Sequence, residues 1–334
     1  MFTSERELED ALSEQTPQLR EMFTRIPGDI LLLGAAGKMG PSLARLAKRS
    51  APGRRIIAAS RFTSGGEAAF TDHGIETVRC DLLNESDVAK LPDAPNVVYM
   101  PGRKFGCSGD ASTTWAINCY LPALVCRRFR SSRIVAFSTG NVYPFFPVAG
   151  RGPTEAEPPN PVGEYGMSAL GRERIFEHFS KTLGIPVAFI RLNYACDLRY
   201  GVLVDIARKV FAGEPVDLAM GHFNTIWQGD ANAMTLRALE HCTVPPKSFN
   251  VTGQEVLSVR AVSERFARMM NRPVRFTGTE AATALISDAA AGIAALGPIR
   301  VPVDALLEWV ADWVLRGGRC LNKPTHFEER AGRF

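Results

Sequence analysis

The stretch DILLLGAAGKMGPSLARLAKR, residues 29–49, decides the fold. Ile30 to Leu33 form a short apolar run that is continuous rather than alternating, the pattern of a strand buried on both faces. The next seven residues, Gly34-Ala35-Ala36-Gly37-Lys38-Met39-Gly40, carry three glycines, and Pro41 then suits the first turn of a helix. Strand, glycine loop and helix in this order let the backbone approach a pyrophosphate, with unpaired N–H groups and a partial positive charge at the helix start. Glycine spacing alone says little. In this context it predicts a dinucleotide site built from Gly34, Ala36, Gly37, Lys38, Met39 and Gly40.

Outward from this unit the pattern repeats. RIIAAS (55–60), ETVRC (76–80), NVVYM (96–100), RIVAFS (133–138) and VAFIRL (187–192) are further strand-like runs. Helical stretches separate them, among them residues 115–129 and 168–180. Alternating strand and helix predicts an α/β fold, a doubly wound parallel sheet of Rossmann type over residues 27–193, with its ligand crevice at the carboxyl ends of the strands. From residue 194 to 318 amphipathic helices dominate, which predicts a smaller, mostly helical substrate lobe with some segments returning to the core. Residues 1–26 form a helical extension, with Ser4 and Glu7 as a capping box and Thr16-Pro17 as a cap followed by proline. Residues 319–334 are a tail whose Phe327, Phe334 and His326 make it too apolar for a plain disordered end.

Composition narrows the class. The 334 residues suffice for a sizeable core, and 46% hydrophobic with 22% charged residues excludes disorder as the main state. A formal charge of +4 without a long basic run argues against a nucleic-acid partner. No apolar run is long enough for a membrane span and the start is charged, so no membrane partner and a cytoplasmic location are expected. Seven cysteines without Cys-x-x-Cys spacing read as reduced core thiols, and five scattered histidines provide no metal-ligand spacing, so no metal is expected.

Twenty residues beyond Gly40 the second strand ends in Ser60-Arg61. An acidic residue there would accept hydrogen bonds from the ribose diol of NAD, whereas a hydroxyl followed by a guanidinium suits a 2′-phosphate. NADP is therefore favoured over NAD as cofactor.

Several motifs in order resemble the extended short-chain dehydrogenase/reductases, the NAD-dependent epimerase/dehydratase family. They are the glycine loop, Cys80-Asp81-Leu82, Met100-Pro101-Gly102, Asn118, the run Phe137 to Tyr143, Tyr165-Gly166-Met167-Ser168, and Phe249 to Gly253. The similarity spans residues 28–318. It implies a cofactor site extended by Asp81, Leu82, Met100, Pro101, Gly102, Asn118 and Tyr165. Thr139 would bind the reacting oxygen, Tyr165 would carry its proton, and a homodimer would form through the helices flanking Tyr165. The implied function is an NAD(P)-dependent oxidoreductase or epimerase (isomerase) of carbohydrate metabolism, acting on a sugar, sugar acid or nucleotide sugar by hydride transfer at a carbinol carbon.

One position departs from that family. Its pattern is Tyr-x-x-x-Lys, in which the lysine binds the nicotinamide ribose and lowers the tyrosine pKa, yet residue 169 is alanine. An unassisted tyrosine has a pKa near 10, so about one molecule in a thousand is phenolate at pH 7. Three readings stay open: Arg172 replaces the lysine's charge, Tyr165 works as a neutral acid or another group transfers the proton, or the fold is a catalytically silent NAD(P)-binding sensor or regulator. For the substrate, Arg103 and Lys104 are candidate grips on an anionic group, with Asn141 and Asn193 as further contacts. Tyr194, Arg199 and residues 222–228 are weaker candidates.

Overall fold

The computed structural model describes every residue except Ser64, Ser108 and Phe334; the last of these, counted in the tail's apolar content, lies outside the described residues. The apolar runs become six strands: β1 (Ile30–Leu33), β2 (Ile56–Ser60), β3 (Glu76–Arg79), β4 (Asn96–Tyr99), β5 (Arg133–Thr139) and β6 (Val187–Leu192). A seventh, β7 (Lys247–Val251), returns from the later part of the chain and pairs with β6. All pairings in the sheet are parallel, in the order β7-β6-β5-β4-β1-β2-β3. The order reverses between β1 and β4, the position at which sheets of this kind leave a crevice outside the carboxyl ends of their strands. Helices cover both faces, and the two sides of β1 feed different cores: Ile30 and Leu32 join one apolar cluster, Leu31 and Leu33 the other.

The N-terminal extension forms α1 (Glu5–Leu12) and α2 (Pro17–Arg25). Ser4 accepts from the Glu7 N–H and Thr16 from the Leu19 N–H, as the capping patterns require. The Glu7 carboxylate reaches back to accept from the Thr3 N–H and hydroxyl. The two helices bury into different lobes: Leu19, Met22 and Phe23 join the sheet's core, while Leu8 and Leu12 join the core of the helical lobe. That lobe is built on the Val202–Ala212, Val259–Met270 and Val303–Leu315 helices. The Gln228–Arg237 helix instead lies against α3 (Gly40–Ser50), where Gln228 and Asn232 both donate to the Ser42 hydroxyl.

The helical stretch at residues 115–129 differs from a single regular helix. Ala111–Trp115 and Leu121–Arg128 are α-helical, but Ala116–Tyr120 is a π-turn. Pro122 lacks the N–H that would bond the Asn118 carbonyl, so the ladder opens just ahead of it. Among the described residues, no helix is long and apolar enough to cross a membrane.

Candidate active site

Each glycine of the loop has its own steric reason. Gly34 adopts φ +75°, and a Cβ there would come within 2.9 Å of the Pro101 ring. Gly40 supports α3 tightly enough that a Cβ would fall 1.8 Å from the Ala35 carbonyl oxygen. Gly37 is the open one, with only the Gly34 carbonyl near, at 3.5 Å. No side chain caps α3. Its first N–H groups remain available to a ligand.

Two cavities meet at this loop. One, of about 490 Å³, runs over the tips of β2 and β3 and is lined by Gly34, Ala36, Gly37, Ser60, Arg61, Asp81, Leu82, Met100, Pro101 and Gly102. Asp81 is held by the bond its carboxylate accepts from the Leu83 N–H, and its own N–H donates to Asp87. The other, of about 410 Å³, is walled by Gly37, Lys38, Met39, Thr139, Asn141, Tyr165, Arg172 and Asn193, with Lys104, Tyr194 and Gln228. Gly37, Met100 and Gly102 line both, which makes the two continuous.

Thr139 ends β5, and Tyr165 opens the first turn of the Gly163–Leu183 helix. The Thr139 hydroxyl hydrogen-bonds the Tyr165 phenol, and its oxygen also accepts from the backbone and side-chain N–H groups of Asn141 at 3.2 and 3.1 Å. Burial raises the Tyr165 pKa above its ordinary value, against the lowering effects of the Thr139 bond and the nearby Arg172 charge. Ala169, one turn along, is sealed in a small apolar cluster with Val142 and Tyr143.

Arg172 lies buried beside these groups. Its Nη1 donates to the Phe137 carbonyl at 2.8 Å and its Nη2 to the Asn118 carboxamide. Its Nε has no protein partner. Asn118 lines neither cavity: on the π-turn, its side chain bonds the backbone of Arg103, the Ser168 hydroxyl and Arg172, and of these Arg172 faces the second cavity. Ser168 in turn donates to the Tyr165 carbonyl at 3.1 Å. Gly40 also lines neither cavity. Arg103 is turned away and paired with Asp110 at 3.0 Å, and Arg199 is held by Asp197 and Glu9.

The substrate-side cations that do face the second cavity are Lys38, Lys104 and a residue the sequence reading passed over, Lys323 of the tail. Among the described residues lining that cavity there is no carboxylate. Burial, reinforced by the charges of Lys104 and Lys323, pushes Lys38 down to about 7, and burial pushes Lys104 down to about 8. Lys38 stands over the Tyr200 ring, and the Lys104 ammonium donates to the Thr325 carbonyl at 3.2 Å. Tyr194 takes φ +48°, a conformation uncommon outside glycine, and its carbonyl is tied down by Thr225 and Ile226. Behind the site, the Glu173 carboxylate accepts from Ser138 and from Arg191, and Arg191 donates to the Tyr143 phenol, which donates to Asn250. This buried chain fixes β5, β6 and β7 to the helix that carries Tyr165.

The open face at Gly37, the uncapped helix and the unpartnered Arg172 Nε together fit a dinucleotide lying across the crevice. The comparisons with known proteins agree on the architecture. The structure superposes on UDP-glucuronic acid 4-epimerase from Bacillus cereus in complex with NAD with a TM-score of 0.72 at 17% identity, covering 86% of this chain and 99% of that one. UDP-glucose 4-epimerase of Thermus thermophilus, also in complex with NAD, gives 0.70 at 18%, with the same coverage. A dTDP-glucose 4,6-dehydratase double mutant of Streptomyces venezuelae gives 0.72 at 17%, covering 85% and 96%. At these identities the likeness establishes the fold. Among curated protein sequences none matches. The family model "NAD dependent epimerase/dehydratase family" matches residues 30–196, half of the chain and the half that holds the glycine loop, Thr139 and Tyr165, and the chain therefore belongs to that family.

Proposed function

We propose that the protein is an NAD(P)-dependent oxidoreductase or epimerase of a sugar, sugar acid or nucleotide sugar. The observation that carries this reading is the Thr139–Tyr165 hydrogen bond on the wall of a cavity continuous with the glycine loop. The three similar structures are named as nucleotide-sugar enzymes, which supports the same substrate class here. When bound, the dinucleotide accepts and returns a hydride at a carbinol carbon. Thr139 orients the substrate oxygen, and Tyr165 holds the proton that moves to or from it. With its pKa raised, Tyr165 is a proton donor at neutral pH. Arg172 and Lys104 then supply the positive charge that residue 169 lacks. Arg61 on the wall of the first cavity supports NADP over NAD, and Lys38 and Lys104 support an anionic substrate. Trp115, Tyr120 and Met167 are exposed on the helices flanking Tyr165, which supports a homodimer through that face.

A silent NAD(P)-binding sensor is the second reading, and Ala169 is the observation that favours it. Incubation with NAD or NADP and a panel of nucleotide sugars, followed by proton NMR of the sugar and absorbance of reduced cofactor, separates the two. Conversion that disappears in Tyr165→Phe supports the enzyme. Tight dinucleotide binding without conversion of any member supports the sensor, and absence of dinucleotide binding overturns both.

A further inference from the structure

A third cavity, of about 500 Å³, lies at the start of α3 and joins the other two at the glycine loop. Among the described residues only two line all three cavities: Gly37 and Lys323. Gly37 is the position whose missing side chain leaves room for a ligand. Lys323 is 286 positions further along the chain, on a tail of irregular backbone beyond the last helix.

The tail is not loosely draped. Before Lys323, the Leu321 N–H donates to the Arg199 carbonyl at 3.0 Å and Arg208 donates to the Asn322 side chain at 3.1 Å. After it, the N–H and hydroxyl of Thr325 both bond the Asp205 carboxylate, at 2.7 and 2.6 Å. Phe327 is buried in the helical lobe's core, and Arg330 donates to the Thr283 carbonyl at 2.7 Å. Between these anchors Lys323 itself is exposed to the crevice, and no carboxylate among the described residues forms an ion pair with it. Ammonium groups gathered at one junction repel one another, here by more than Asp197 and Asp205 attract Lys38, and an anion placed among them relieves that repulsion. Lys38 feels Lys323 in this way.

We propose that Lys323 is a ligand for the diphosphate of the bound dinucleotide, so that the C-terminal tail, together with the glycine loop, holds the cofactor. The inference rests on the dinucleotide reading of the crevice. The anchors on either side hold the backbone around the lysine before the ligand arrives, so only its side chain remains to be ordered on binding.

The test uses the full chain. Calorimetric titrations with NADH, NADPH, adenosine and a uridine diphosphate sugar are compared for wild type, Lys323→Ala, Lys323→Arg and Thr325→Val. Loss of one charge-assisted contact is expected to weaken both dinucleotides about tenfold or more in Lys323→Ala, with a shallower salt dependence. Adenosine, which has no phosphate, keeps its affinity. Lys323→Arg retains most of the dinucleotide affinity, and Thr325→Val loses part of it. Because Lys323 is exposed, an unchanged melting temperature of Lys323→Ala serves as the folding control. Wild-type binding with unchanged dinucleotide affinity in Lys323→Ala overturns this proposal alone, as does a loss confined to the uridine diphosphate sugar. Absence of dinucleotide binding by the wild type overturns the site reading and this proposal with it.

Discussion

The Lys104 ammonium stands 5.9 Å from the centre of the Tyr165 ring, so a cation approaches the phenol from the loop after β4 rather than from position 169 of its own helix. With Arg172 on the other side, the charge a Tyr-x-x-x-Lys helix would carry is distributed over two different elements. Lys104→Met is expected to slow oxidation below about pH 8, where the lysine is charged and favours phenolate, and to leave the rate at pH 9 and above unchanged, where the lysine is already neutral. A pH–rate profile of the oxidative direction checks this. An identical profile in the variant removes Lys104 from the mechanism.

Binding of an anionic ligand should itself depend on pH. Lys38 at about 7 and Lys104 at about 8 are both depressed, so both are largely charged at pH 6 and largely neutral at pH 9. An anion favours the charged forms. Affinity for an anionic substrate is therefore expected to fall as pH rises through this window, with proton uptake on binding near pH 8, visible as a dependence of calorimetric enthalpy on the buffer's ionisation heat. A flat affinity from pH 6 to 9 contradicts it.

The loop glycines should fail in different ways. A side chain at Gly37 meets open space, so Gly37→Val is expected to keep its melting temperature and lose dinucleotide binding. A methyl at Gly40 collides with the Ala35 carbonyl, so Gly40→Ala is expected to lose stability first. Thermal denaturation and calorimetry on the two variants separate the roles.

The proposed preference for NADP turns on Arg61, just beyond the tip of β2. Arg61→Ala is expected to abolish a preference for NADP, by about tenfold or more in relative affinity, with NAD binding little changed. Equal wild-type affinities for NAD and NADP would dispose of the preference itself.

Removing one partner of the buried Glu173–Arg191 pair leaves the other charge uncompensated. Glu173→Gln is expected to cost about 3–5 kcal/mol. Chemical denaturation measures it, and a loss below about 1 kcal/mol contradicts it.

The sheet and the glycine loop were legible because buried parallel strands read as unbroken apolar runs such as RIVAFS and VAFIRL. β7 was less so: KSFNV at the sheet edge is half polar, and only its resemblance to a family motif marked it. Thr139 and Tyr165 were nameable from motifs, and the structure brings them into contact. Arg103 and Lys104 were indistinguishable as neighbours in sequence. Asp110 takes the first and Thr325 the second, and both choices are tertiary. Lys323 had no local signal at all, since a tail of irregular backbone leaves no periodicity to read.

The π-turn at Ala116–Tyr120 makes this part of the chain a matter of counting. A π-turn holds one residue more than an α-helix needs, so the segments before and after it are out of phase. Deleting one residue there would leave Pro122 interrupting the ladder but shift the phase of Asn118 against the following helix by about 100°, swinging its carboxamide away from Arg103, Ser168 and Arg172 together. Such a deletion is expected to separate Asn118 from the partners it now holds. The surplus residue thus works as a spacer, and length at this point is as much a functional property as residue type.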